Sequence, residues 1–204
     1  MGTVRCVPAV ITQTAKVGSY IDWYDLSKIV TDNDDPCYCT YPNGVSPLYT
    51  ENIILTDLGY TMPANSIITD ITLNIKSKIQ YGRHPCRLVE YELMYNNDYW
   101  IGHEESHNIT LIDYTDYQTE NIPYTETTRT LDEITEAEAE DDTFGITLRY
   151  WFGGNPFQWM NPEIFKIDDI SIDITSEALP AKGIWRNSQL GNIGISTSGI
   201  LGAK

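Results

Sequence analysis

Apolar residues recur at every second position in several stretches of the chain, and this two-residue period predicts β-strands with one buried face. In DITLNIKSKI, Ile71, Leu73 and Ile75 alternate with Thr72, Asn74 and Lys76. TFGITLRYWF places Phe144, Ile146, Leu148, Tyr150 and Phe152 on one side. DDISIDIT places Ile170, Ile172 and Ile174 inward, with Ser171, Asp173 and Thr175 outward. VEYELMY groups Tyr91, Leu93 and Tyr95, then meets Asn96-Asn97-Asp98, residues that tolerate left-handed turn geometry. Gly153-Gly154-Asn155-Pro156 ends a strand in the same manner. Helical pattern is confined to TLDEITEAEAEDD, where Thr130 and Glu133 have capping-box spacing and Leu131, Ile134 and Ala137 fall three apart. Short strands separated by turn chemistry predict an all-β, antiparallel sandwich.

The pattern changes after Thr175. The segment Ser176 to Lys204 carries five glycines and interspersed large apolar residues, among them Ile184, Trp185, Leu190, Ile193, Ile195, Ile200 and Leu201. It is too apolar for an ordinary disordered tail and too rich in glycine for a stable helix. An extended arm that docks in a groove, on its own body or on a neighbouring copy, accounts for both properties. The expected organisation is an N-terminal extension at 1–18, a sandwich at 19–175 and the arm at 176–204.

Charge narrows the range of partners. The 204-residue chain holds 29 acidic and 13 basic side chains, a formal charge of −16, divided as +2 on the arm and −18 on the rest. Phosphate backbones and anionic membrane surfaces are repelled by such a body, and no stretch clusters enough Lys or Arg to reverse this. No apolar run approaches bilayer length, and MGTVRCVPAV lacks the apolar stretch of a secretory signal. These features predict a protein made in a cytoplasm, with Cys6, Cys37, Cys39 and Cys86 as reduced thiols. Cys37, Cys39, His84 and Cys86 could be assembled on paper into a zinc knot, but their spacing departs from that of structural zinc sites. The acidic runs Asp32 to Asp35 and Asp132 to Asp142 lack the residue order of a calcium loop and read as solvated faces.

One catalytic signature occurs in letters: GHEESHN supplies His103, Glu104 and His107 in HExxH spacing. In zinc proteases that spacing sets two histidines on one helical face, with the glutamate acting on a metal-bound water. Here Tyr99, Trp100 and Ile101 lead in as a strand and Ile109 and Leu111 resume alternation, so the motif falls in a loop. No third ligand follows in the expected place. Nor does the chain contain a nucleophile elbow, a phosphate-binding glycine loop or a dinucleotide fingerprint. The expectation is therefore no catalytic residue, no metal and no cofactor.

The stretch Tyr49 to Lys78 resembles jelly-roll domains of tailed-phage structural proteins. The pieces that carry the resemblance are Leu58-Gly59-Tyr60, the turn Pro63-Ala64-Asn65-Ser66-Ile67, and the long strand through Ile71, Leu73 and Ile75. YELMYNNDYWIG, LDEITEAEAEDDTFGITLRY and FKIDDISIDIT follow in the order that family shows, so the resemblance spans about Ser19 to Thr175. It implies an all-β, antiparallel jelly-roll-like β-sandwich, to which the composition of residues 176–204 adds a Gly-rich extended C-terminal arm. It further implies a virion structural protein assembled in the host cytoplasm, a capsid decoration or auxiliary protein, or a tail or fibre component. Its partners would be the major capsid protein or other virion proteins, and copies of itself.

Fourteen tyrosines and five tryptophans fit an assembly protein, because these side chains give large contact area at low entropic cost. Trp23, Trp151 and Tyr150 read as core residues. Trp159, beside a turn, and Trp185, with Ile184, Leu190, Ile193, Ile195, Ile200 and Leu201 of the arm, read as contact residues. A glycan-binding module, with exposed aromatic faces stacking on host sugars, is the alternative from another functional class.

Overall fold

The structure, a computed structural model, describes residues 1–15, 19–30, 36–41, 48–80, 86–96, 98–100, 117–124, 130–152 and 163–179. Among them run the strands β1 (Gly2–Cys6), β2 (Val10–Thr14), β3 (Ser19–Ile21), β4 (Trp23–Tyr24), β5 (Cys37–Tyr41), β6 (Leu48–Thr50) and β7 (Asn52–Thr56). The longer strands follow: β8 (Ser66–Gln80), β9 (Cys86–Tyr95), β10 (Asp98–Trp100), β11 (Gln118–Pro123), β12 (Gly145–Phe152) and β13 (Glu163–Ala178). Helix is limited to 3-10 turns at Leu26–Val30 and Leu131–Glu133 and to α1 (Glu136–Ala139).

The strands form two sheets. The first has the order β11-β8-β13-β5-β4, with β1 also on β13; the second has the order β10-β9-β12-β6-β3, with β7 beside β12 and β2 beside β7. Pairing is antiparallel except for the short contact of β3 with β6. Each sheet is built on two long strands, β8 with β13 and β9 with β12, and a third row split between two short ones. Along β13 that row is β5 against Glu163 to Ile167 and β1 against Ile172 to Ser176. Along β12 it is β7 against Gly145 to Leu148 and β6 against Trp151 and Phe152.

Three bulges keep the apolar side chains inward. On β13, Ile167 faces Ser77 and Asp169 faces Lys76, so Asp168 is an extra residue. Inward positions therefore pass from Phe165 and Ile167 to Ile170, Ile172 and Ile174, all of them fully buried. On β8, Thr69 is the extra residue, between the pairs Thr175 with Asp70 and Ser176 with Ile68. On β9 it is Val89, between Arg149 with Glu90 and Tyr150 with Leu88. A one-residue slip would turn each strand's apolar set to solvent, and a bulge absorbs the extra residue where the sequence changes parity.

The two sheets face each other across one core, making a β-sandwich. Phe165 of the first sheet lies 4.8 Å, centroid to centroid, from Tyr150 of the second, and Phe152 stands 6.1 Å from Phe165. Trp23 stands edge-on to both Tyr150 and Phe165 at 5.8 Å. Aromatic pairs at such angles contribute beyond the area they bury. The chain changes sheet between β1 and β2 and again between β3 and β4. Trp23 fixes the second corner: its indole N–H donates to Glu51 O at 3.1 Å, and its backbone N–H donates to Gln13 Oε1 at 2.9 Å. Gly145 opens β12 because a Cβ there would stand 1.9 Å from Leu55 O, closer than any side chain allows.

Residues 1–18, expected as an extension, contribute β1 and β2 to the two sheets, and β13 runs three residues past Thr175. The acidic stretch breaks into two capped turns. Glu133 accepts from Thr130 N at 3.3 Å and Glu138 accepts from Thr135 N at 2.8 Å. The second cap restarts the helix, so Leu131, Ile134 and Ala139 are the buried residues and Ala137 is exposed.

Candidate interaction surfaces

Carboxylates of the acidic stretch serve as local hydrogen-bond acceptors. Besides the two capping glutamates, Glu140 Oε1 accepts from Met62 N at 2.9 Å, and Asp141 Oδ1 accepts from Thr143 N at 2.8 Å and from its hydroxyl at 2.6 Å. The Thr143 hydroxyl and amide hold the Asp141 carboxyl below its ordinary pKa. Among the described residues, no group of three or more His, Cys, Asp or Glu is placed to hold a metal ion.

The four cysteines are free and buried. Cys39 lies in register between Trp23 and Phe165 on the inner face of the first sheet, and Cys86 pairs with Phe152 in the second. Burial pushes the Cys6 thiol up to about 11 and Cys37 up to about 12, and raises Cys39 well above its ordinary value. Protonated thiols in an apolar core are poor nucleophiles and poor metal ligands. They pack as small hydrophobes.

His103, Glu104 and His107 lie outside the described residues, as do Trp159, Ile184, Trp185, Leu190, Ile193, Ile195, Ile200 and Leu201. The strand expected to lead into the first group is present as β10, paired to β9 across the turn at Asn96. Leu179 is the last described residue before the C-terminal segment. It is exposed, and its N–H donates to Asn65 O at 2.7 Å.

Two surfaces stand out among the described residues. One is the N-terminal ribbon, in which β1 and β2 each pair on one side only, β1 with β13 and β2 with β7. Met1, Val4, Val7 and Val10 along it are exposed. The Arg5 guanidinium pins the ribbon to the sheet through two bonds to Asp173, at 2.9 and 3.1 Å.

The other surface is the outer face of the first sheet. Trp23, Cys37, Cys39, Phe165, Ile167, Ser77 and Ile79 point inward, so their neighbours Tyr24, Tyr38, Lys166 and Lys78 point out. The strand register aligns these four across the sheet: Tyr24 faces Tyr38, Tyr38 faces Lys166, and Lys166 faces Lys78. Tyr24 and Tyr38 stack at 5.3 Å, and Lys78 Nζ lies 4.0 Å from the centroid of the Tyr117 ring. Two residues along β8, Lys76 Nζ meets the fully buried Asp168 at 2.6 Å. Sequence reasoning did not find this row. The alternation of NIKSKI and EIFKID shows that each lysine points outward, but only the long-range pairing of β4, β5, β13 and β8 brings them into one line.

The outer face of the second sheet contains another cation, Arg149, which is buried. Its Nε donates to Thr50 O at 3.2 Å, one terminal nitrogen meets Glu90 at 3.1 Å, and the guanidinium lies 4.5 Å over the Tyr49 ring. Glu120 of β11 is half-buried, and loss of solvent raises its pKa. A carboxylate turned partly inward on an outermost strand discourages pairing with a foreign strand.

No helix among the described residues is long and apolar enough to cross a membrane. No protein-family model and no curated protein sequence matches the chain.

Proposed function

We propose that this chain is a non-enzymatic structural protein of a tailed-phage virion, a capsid decoration protein that docks through its sandwich edge and its C-terminal segment. A jelly-roll order of strands and an extended, docked form of residues 176–204 belong to the same reading. The observation that carries it is the N-terminal ribbon. Two outermost strands, one in each sheet, expose Val4 and Val10, with exposed Met1 and Val7 beside them, and β1 reaches Ser176 in register, three residues before Leu179. An open strand edge offers unpaired N–H and C=O groups to another strand, and apolar side chains beside it add contact area. Residues 180–204 carry Lys182, Arg186 and Lys204 with no acidic side chain, opposite in sign to the acidic body. That contrast favours fast, oriented encounter between copies or with a shell protein.

The test is quantitative mass spectrometry of gradient-purified particles from the source culture, scaling this chain's peptides to the most abundant shell protein. A constant copy ratio supports the structural role, and absence from the particles rejects it. A variant ending at Leu179 addresses the docking mechanism, because β13 pairs with β8 through Ala178. It should keep the thermal midpoint of the full chain and lose most of its particle occupancy. Full occupancy by that variant would remove the C-terminal segment from the mechanism.

A further inference from the structure

The row Tyr24, Tyr38, Lys166 and Lys78 sets two like charges against each other. Lysines directly opposite each other on one sheet face repel, and the usual expectation for a stable pair is an opposite charge. Lys166 faces Lys78 in register all the same, and among the described residues no carboxylate forms an ion pair with either. The neighbouring Lys76 differs, because Asp168 neutralises it and Asp169 lies opposite. Three of the seven lysines in a chain of charge −16 therefore share one face, and two of them have no ion pair among the described residues.

Beside those two charges stands a flat apolar surface. Tyr24 is 49% exposed and stacks on Tyr38, and Tyr117 flanks the far end by Lys78. Neighbouring strands are about 4.8 Å apart, so the four paired positions run roughly 14 Å from Tyr24 to Lys78. We propose that this row is a binding site for an acidic oligosaccharide, a chain of uronate sugars whose rings pack on the tyrosines and whose carboxylates meet Lys166 and Lys78. A neutral sugar would leave the paired lysines without a role. A single-stranded nucleic acid carries the same one charge per unit, and the oligothymidylate arm of the experiment separates it from a uronate chain. The site does not depend on the virion reading and stands or falls separately.

The experiment is isothermal titration calorimetry on the full chain at low salt. The probes are an oligogalacturonate, a neutral galactose oligomer of equal length, hexaglutamate and single-stranded oligothymidylate. The expected result is saturable binding of the oligogalacturonate alone, weakened by salt. Lys166→Glu should weaken it about tenfold or more, the scale of one charge-assisted contact, and Tyr24→Ala should weaken it through loss of ring packing. Arg5→Glu makes the same change of charge elsewhere on this outer face and should leave affinity unchanged; thermal midpoints confirm that each variant is folded. No binding of the oligogalacturonate would overturn the proposal. So would equal binding of the neutral oligomer, of hexaglutamate or of oligothymidylate, or an Arg5→Glu loss as large as that of Lys166→Glu.

Discussion

The two outer faces of the sandwich treat positive charge in opposite ways. On the second sheet, Arg149 is buried, and its guanidinium is used by the Thr50 carbonyl, the Glu90 carboxylate and the Tyr49 ring. On the first, Lys166 and Lys78 are set opposite each other, with no ion pair among the described residues. The planar fork of arginine suits several fixed acceptors at once, whereas lysine is a mobile point charge on a flexible stem. The difference teaches how to separate a cation that holds the fold from one left for a ligand: the first has acceptors fixed around it, the second faces tyrosine rings and a like charge, with no carboxylate partner among the described residues.

That contrast predicts its largest effect at Arg149. Arg149→Met keeps the apolar stem but leaves Glu90 and the Thr50 carbonyl without their donor. Removing one member of a buried pair costs about 3–5 kcal/mol, and partial exposure of Glu90 places this case at the lower end. Urea unfolding should show a large drop in midpoint with an unchanged slope. A shift no larger than that of a surface substitution would break the comparison at its structural side.

Asp168→Ala should have the next largest effect. Asp168 is fully buried, while its partner Lys76 is 26% exposed and can turn to water. The loss should be about 1–2 kcal/mol, less than at Arg149, because the remaining charge need not stay buried. The same substitution removes one carboxylate beside the row, so oligogalacturonate affinity should rise while stability falls. Affinity that falls with stability would show that Asp168 shapes the row rather than merely neutralising Lys76.

Much of this fold is legible in the amino-acid pattern. The inward sets Ile71, Leu73, Ile75 and Phe144, Ile146, Leu148, Tyr150, Phe152 are buried as alternation requires, and Trp23 joins them. Trp151 does not, because it takes an outward position on β12 and is only half-buried. Local chemistry also reads correctly at Thr130 with Glu133, and at Asn65 and Asn96, both of which adopt positive φ. What escapes is what depends on partners distant in sequence. β1 and β2 have weak alternation of their own, with four exposed residues ahead of Cys6 in β1 and all five residues of β2 exposed or half-exposed, and join sheets only because β13 and β7 offer open edges. The lysine and tyrosine row escapes for the same reason: alternation fixes the face of a residue, and register, set by four strands from separate parts of the chain, fixes its neighbours.

Lys166→Glu offers a sharper version of the comparison, with a smaller change in stability and of the opposite sign. Replacing one of two opposed lysines by a carboxylate turns repulsion into attraction, a gain of about 0.2–1 kcal/mol for a cross-strand pair. A variant that is more stable and binds less marks a residue kept for its ligand. Loss of stability on Lys166→Glu would instead give the side chain a structural role and weaken the case for a site.

Arg5→Ala should have the smallest effect and provides the exposed reference for the other three. Arg5 is 64% exposed, and a surface ion pair contributes about 0–1 kcal/mol even with two hydrogen bonds. The Arg5 hydrogen bond holds the Asp173 carboxyl below its ordinary pKa, so the pair stabilises the fold above the ordinary aspartate value of about 3.9. As pH falls through the depressed value, Asp173 is protonated in the folded state as well and the contribution disappears. The difference in unfolding free energy between Arg5→Ala and the parent chain should be flat at neutral pH, shrink in acid and vanish below the depressed value, and 1 M salt should reduce it at pH 7. A difference that persisted unchanged in acid would mean that Arg5 acts through packing of its aliphatic stem on the ribbon, and the pair would then no longer serve as an electrostatic baseline for Arg149 and Lys166.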